Sequence, residues 1–228
     1  MRSSRASNRD VGWLSVVLVL GACVGPAAGT SRRELPAPPA ARMDQGMAAA
    51  AAGDGQEQLL RGRALVIEHA CGDCHGGGSN PNAANWLSGA RKGEDEFPIG
   101  PFKTRPRNLT PDNTTGLGRF SERQIFNAMR YGLRPGETPD VEITSSTPGR
   151  GNFPAAPKYL APPMPWPAFR HMSDQQLRDI AAYLKRGVKP VSNRVADSEG
   201  PPDFWASVYT AEKIGPYPAA AYPAAQER

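Results

Sequence analysis

The sequence predicts an all-α domain, a few short helices joined by long loops around a modest core. Three observations support this. Apolar residues recur at helical spacing in three segments, two of which open with a capping box. No run shows the alternation of a half-buried strand. Gly and Pro number 24 each among 228 residues while aromatic residues make up 7%, so much of the chain is irregular and little apolar surface is available to fill an interior.

The first helical segment runs from Gln56 to Ala70, with Leu60, Ala64 and Ile67 on one face, and leads directly into Cys71-Gly72-Asp73-Cys74-His75. Residues 76–118 are punctuated by Gly, Pro and Asn and read as loop. Ser121-Glu122-Arg123-Gln124 has the Ser-x-x-Gln form of a capping box. Its helix carries Ile125, Ala128 and Met129 on one face and stops at Gly132. Residues 133–167 are again loop and end in Pro162-Pro163-Met164-Pro165-Trp166-Pro167. Ser173-Asp174-Gln175-Gln176 is a second box. It opens a helix with Leu177, Ile180, Ala181 and Leu184 at i, i+3, i+4 and i+7, stopped by Gly187 and Pro190.

The organisation around these helices divides into four parts. Residues 1–22 carry Arg2, Arg5 and Arg9, then an apolar run from Val11 to Leu20, the pattern of a secretory signal too short for a comfortable permanent span. Leu20-Gly21-Ala22-Cys23 resembles a bacterial lipobox, in which Cys23 would carry lipid and hold the protein to a membrane. Cleavage after Ala28 or Gly29 is the competing reading. Residues 23–55, rich in Ala, Pro and Gly, read as a linker, residues 56–190 as the folded domain, and 191–228 as a Pro/Ala-rich tail with a short helix around Phe204 to Lys213. Phe204, Trp205, Tyr209, Tyr217 and Tyr222 make that tail either an interaction segment or a wrap on its own domain. The formal charge is +5, and residues 23–228 carry +3. That balance, without a basic run, argues against nucleic acid as a partner.

Cys71 and Cys74 at this spacing suit four chemistries. A redox dithiol normally follows a strand, and here a helix leads in. Structural zinc needs four ligands, and His69 and His171 have no partner at ligand spacing. A disulfide closing so tight a loop stabilises little and does not require His75. Covalent haem attachment has Cys-x-x-Cys-His as its signature, with two thioethers and the histidine on the iron. A haem would also supply the apolar bulk that the composition lacks. Among later methionines, Met129 lies on an apolar helix face and Met172 precedes a capping serine. Met164 sits in a proline-stiffened loop, suited to hold a thioether against iron, and His/Met ligation favours electron transfer.

The stretches RGRALVIEHACGDCH, NLTPDNTTGLGRFSERQIFNAMRYG and PPMPWPAFRHMSDQQLRDIAAYL together resemble class I cytochromes c. They are most like the cytochrome subunits of membrane-bound alcohol, aldehyde and sugar dehydrogenases. The likeness covers about residues 61–186. It implies an all-α cytochrome c fold, helices and long loops around one haem c, with the N- and C-terminal helices crossing. It implies Cys71 and Cys74 as thioether partners, His75 and Met164 as ligands of the iron, and Arg107, Asn108 and Thr110 near the haem edge. Those relatives often carry three Cys-x-x-Cys-His motifs, whereas this chain has one, and its segment from Pro135 to Leu160 is longer than the family pattern. The expected function is a periplasmic one-electron carrier with redox protein partners, within or beside an oxidoreductase complex. A haem enzyme or gas sensor with an open sixth position is the alternative.

Overall fold

A computed structural model describes residues 40–91, 93, 95–201 and 204–214. The segment read as a secretory signal, Cys23, Tyr217 and Tyr222 lie outside the described residues. Six α-helices are present among the described residues: α1 (Ala40–Glu68), α2 (Cys71–His75), α3 (Glu122–Tyr131), α4 (Trp166–Phe169), α5 (Asp174–Ala182) and α6 (Ala211–Ile214). Two three-residue strands, β1 (Phe97–Ile99) and β2 (Phe102–Thr104), pair antiparallel with Phe97 opposite Thr104.

Helix α1 begins well before Gln56, so part of the segment read as linker is helical. The run Ala48–Ala52 explains this, since alanine is the best helix former. Its buried face also differs from the one expected. Of the three residues expected inside, Leu60 is 54% exposed and Ala64 is exposed, while Ile67 packs half-buried against the main core; Gly62 and Val66 are buried. A Cβ on Gly62 would lie 2.0 Å from the Asp179 carbonyl oxygen and 2.7 Å from Tyr183 Cβ. The missing side chain lets α1 press this side, and no other, onto α5. Arg61 reinforces the crossing, its Nε donating to Asp179 Oδ2 at 2.8 Å. Nor does α1 run straight into the cysteine motif. Ala70 adopts a left-handed φ of 53° and α2 starts as a separate helix.

Both capping boxes form. Ser121 and Ser173 each accept from the backbone N–H three residues on, and Gln124 and Gln176 each return a bond to the capping residue. Gly132 ends α3 in the left-handed conformation. Helix α5 passes into a π turn, Tyr183–Gly187. The expected apolar faces of α3 and α5 are buried together with Val66, Trp86 and Leu117 in the main core. The long segment after α3 has its own small core of Leu133, Ile143 and Phe153. It is tied to α3 by Asn127, which donates to the Pro139 and Val141 carbonyls at 2.9 Å each.

The described part of the tail wraps on the domain. Lys103 and Glu199 exchange backbone hydrogen bonds, extending the β-ribbon by one bridge. Trp205 is 3% exposed and meets the Phe102 ring edge-on at 4.8 Å. Tyr209 meets Trp166 at 4.9 Å. Phe204 alone of these three aromatics is exposed, at 45%.

Candidate haem site

One turn of α2 carries both motif cysteines. Cys71 packs against the main core, Cys74 is exposed, and neither is in a disulfide. Burial pushes the Cys71 thiol up to about 11. Burial, then Asp73 and Asp95, pushes the Cys74 thiol up as well. A redox dithiol needs a thiolate stabilised near neutral pH, so these surroundings oppose that chemistry. Among the described residues no group of three or more His, Cys, Asp or Glu side chains is arranged to hold a metal ion. Glycines behind the motif let the chain close on it. A Cβ on Gly72 would stand 2.0 Å from the Gly78 carbonyl oxygen and 2.4 Å from the Trp86 ring. Trp86 is held in turn, its Nε1 donating to the Tyr183 hydroxyl at 3.2 Å.

His75 Nδ1 lies 2.7 Å from the Arg107 carbonyl oxygen. A carbonyl only accepts, so Nδ1 carries the proton and Nε2 keeps its lone pair. Burial lowers the His75 pKa, against the opposing effect of the Arg107 carbonyl, and holds the ring neutral at neutral pH. A neutral imidazole with one nitrogen committed to a carbonyl is the form a histidine takes as a metal ligand. The paired protonated thiols, the oriented imidazole and the glycine cradle fit a haem attached to this turn.

The three residues expected near the haem edge all have protein partners for their side chains. Arg107 reaches the site through its backbone, while its guanidinium donates to the Ala196 carbonyl at 3.1 Å and the Ser198 hydroxyl at 3.2 Å. Asn108 and Thr110 are 2% and 0% exposed. Asn108 Nδ2 donates to Thr115 Oγ1 at 3.0 Å and to the Val191 carbonyl at 2.8 Å, and its Oδ1 accepts from both the N–H and the hydroxyl of Thr110. Their polar atoms bind protein and shape the loop that presents the Arg107 carbonyl. Their donors are bonded to the segment after residue 190 and to Thr115, partners too remote in sequence to be read from it. A backbone carbonyl leaves no sequence signal at all.

Met164 is half-buried in the loop between the satellite core and α4. Its N–H donates to the Ala161 carbonyl at 2.9 Å and its carbonyl accepts from Trp166 at 2.8 Å. The loop is pinned to the end of α3 by Leu160 N–H donating to the Gly132 carbonyl at 2.7 Å. Trp166 packs where a Cβ on Gly132 would lie 2.2 Å from its ring. At the far end of α4, Phe169 meets His69 edge-on at 5.5 Å, tying this region to the residues that lead into the cysteine motif.

Residues 59–187 match the cytochrome c family. The chain belongs to that family. Haem c, covalently bound with its iron, is the cofactor of this cytochrome domain. The chain is 30% identical over 144 residues to the gluconate 2-dehydrogenase cytochrome c subunit of Pantoea cypripedii, covering 63% of this chain and 26% of that protein. It is 29% identical over 147 residues to the cytochrome c subunit of alcohol dehydrogenase (quinone) of Komagataeibacter europaeus, covering 64% and 26%. Against the fructose dehydrogenase cytochrome subunit of Gluconobacter japonicus it is 27% identical over 133 residues, covering 58% and 22%. This cytochrome thus spans about a quarter of the length of the curated relatives it matches. Among its described residues no helix is long and apolar enough to cross a membrane.

Proposed function

We propose that this cytochrome carries single electrons outside the cytoplasm, between a dehydrogenase or similar donor and a respiratory acceptor. The observation that carries the reading is the turn of α2, where Cys71, Cys74 and a His75 whose Nδ1 is committed to the Arg107 carbonyl stand within one Cys-x-x-Cys-His motif. Cys71 and Cys74 would form the thioethers, and His75 through Nε2 and Met164 through its sulfur would hold the iron. When bound, the haem supplies reversible one-electron chemistry. The chain's residues fix its surroundings: Arg107 holds the His75 tautomer, prolines and backbone bonds stiffen the Met164 loop, and the main core excludes water. No side chain need be catalytic. The signal-like pattern of residues 1–22 supports export to the periplasm, and lipid on Cys23 would retain the protein at a membrane.

Absorption spectra of the exported protein, ferric and ferrous, test this. The expected result is a c-type haem with a near-infrared methionine-to-iron band that disappears in Met164→Ala. A haem without that band, combined with rapid carbon monoxide binding to the ferrous form, would instead favour an enzyme or sensor with an open sixth position. Mass spectrometry of the mature N-terminus belongs to the same experiment, and a chain beginning at Thr30 would rule out the lipid anchor.

A further inference from the structure

We propose that the segment after α5 and its π turn, residues 191–198, is a positioning device for His75, and that Asn193 and Arg107 are the residues through which it sets how strongly the imidazole donates to iron. The inference rests on the ligation reading above.

Two irregular segments touch His75. One reaches its side chain, with Nδ1 and the Arg107 carbonyl oxygen 2.7 Å apart. The other reaches its backbone, with Gly89 N–H donating to the His75 carbonyl at 2.7 Å. The two segments are also bonded to each other, Ala90 N–H to the Pro106 carbonyl at 2.9 Å and Leu109 N–H to the Leu87 carbonyl at 2.8 Å. Neither is a helix or a strand, so beyond these two bonds their spacing depends on what lies across them.

The tail lies across them. Asn193 Nδ2 donates to the Ser88 carbonyl at 2.8 Å and to the Ala90 carbonyl at 3.1 Å, gripping the first segment on both sides of Gly89. Asn108 binds the Val191 carbonyl, and Val191 N–H donates to Thr110 Oγ1 at 3.1 Å, gripping the second. The Arg107 guanidinium adds its bonds to Ala196 and Ser198. All three segments converge on Gly89. A Cβ there would be 2.7 Å from Asn108 N, 2.7 Å from Val195 Cγ2 and 2.8 Å from the Arg107 carbonyl carbon, which leaves no room even for a methyl group. The position of the Arg107 carbonyl is therefore coupled to that of the tail.

That distance has a chemical consequence. A tighter Nδ1–H···O bond gives the imidazole more anionic character, makes it a better donor and favours ferric iron. A looser one favours ferrous iron. Part of the reduction potential is thereby written in a segment outside the three helices that define the sequence pattern.

The test uses the full-length holo-protein with Asn193→Ala. At a fixed poise near the wild-type midpoint the ferrous-to-ferric ratio is expected to rise several-fold. In the ferrous protein the His75 Nδ1 proton is expected to exchange with solvent faster by NMR. Arg107→Ala, whose side chain is half-exposed, should shift both readouts the same way, and it supplies the measurement if Asn193→Ala does not accumulate. Glu199→Gln is the control. It weakens the Arg105–Glu199 pair but keeps the Arg105 bond to the Asp197 carbonyl and every bond of Asn193 and Arg107, so it should lower thermal stability and move the ratio far less than Asn193→Ala does. If Asn193→Ala and Arg107→Ala move ratio and proton exchange no more than that control does, the tail is a structural brace only and the inference is overturned. If the wild-type ferrous protein shows no haem-shifted His75 ring signals, the ligation reading fails, and this inference with it.

Discussion

Gly62 shows how far a single missing side chain can decide a packing. Leu60, Ala64 and Ile67 on α1 suggested one face by spacing, yet of these only Ile67 reaches the core, and the helix turns its Gly62 side inward because only a glycine lets backbone meet backbone there. Alanine is the better helix residue by about 1 kcal/mol, so an exposed Gly→Ala change would stabilise. At this position the new Cβ would meet the Asp179 carbonyl oxygen at 2.0 Å, and a backbone carbonyl has no rotamer to escape into. The helices must part, which loosens Val66 in the main core and the Arg61–Asp179 pair. Overpacking of this kind costs about 1–3 kcal/mol and sometimes more. For a domain of this size each kcal/mol moves Tm by about 2–4 °C. Gly62→Ala should therefore lower the thermal midpoint of the holo-protein by several degrees. A midpoint equal to or above wild type would mean that helix propensity wins and the crossing is slack.

At the scale of elements, what the sequence reveals depends on how local the cause is. The two capping boxes, the Gly132 stop and the apolar faces of α3 and α5 are legible because each is set by residues within a turn or two. The β1–β2 ribbon is not, since three residues per strand are too few to display alternation, and its outer edge is completed by Glu199, remote in sequence. The long segment after α3 reads as loop and is irregular, but its small core around Leu133 depends on Phe153, twenty positions on. The Cys-x-x-Cys-His motif is legible at once, whereas the carbonyl that orients His75 has no side chain to announce it. The boxes also differ from each other in a testable way. Ser173 makes the capping bond to Gln176, whereas Ser121 accepts from Gln124 and also donates to Asp140. Losing a capping serine costs about 1 kcal/mol. Ser173→Ala should show that loss in urea unfolding, and Ser121→Ala a larger one. Equal losses would mean that the Asp140 bond contributes nothing to stability.

For the whole molecule, closure is the work of charge as much as of the small core. The tail is held to the β-ribbon by an ion group in which Arg105, 8% exposed in its side chain, bonds Glu199 at 2.7 Å and also Glu96, while Lys103 approaches Glu96 at 3.2 Å. Charges from three separate stretches meet there, so the group forms only when the chain has closed. Arg105 first and Lys103 second hold the Glu96 carboxyl below the usual glutamate value of 4.5. Hydrogen bonds from Thr115, then Thr114, hold Asp112 below its usual value in the same way. A carboxyl whose folded pKa is depressed contributes its stability fully above the unfolded value and loses it as pH falls through the folded one. The acid limb of the stability curve should therefore steepen below pH 4.5, not near neutrality, and the tail region should share in it. Glu96→Gln isolates the effect. Its thermal midpoint should lie below wild type at pH 7, and the gap should narrow once the pH drops under 4.5, because wild-type Glu96 is then losing the same charge. A gap that stays constant from pH 7 to about pH 3 would show that the carboxylate's charge has no part in holding the tail, and that Phe102 and Trp205 dock it unaided.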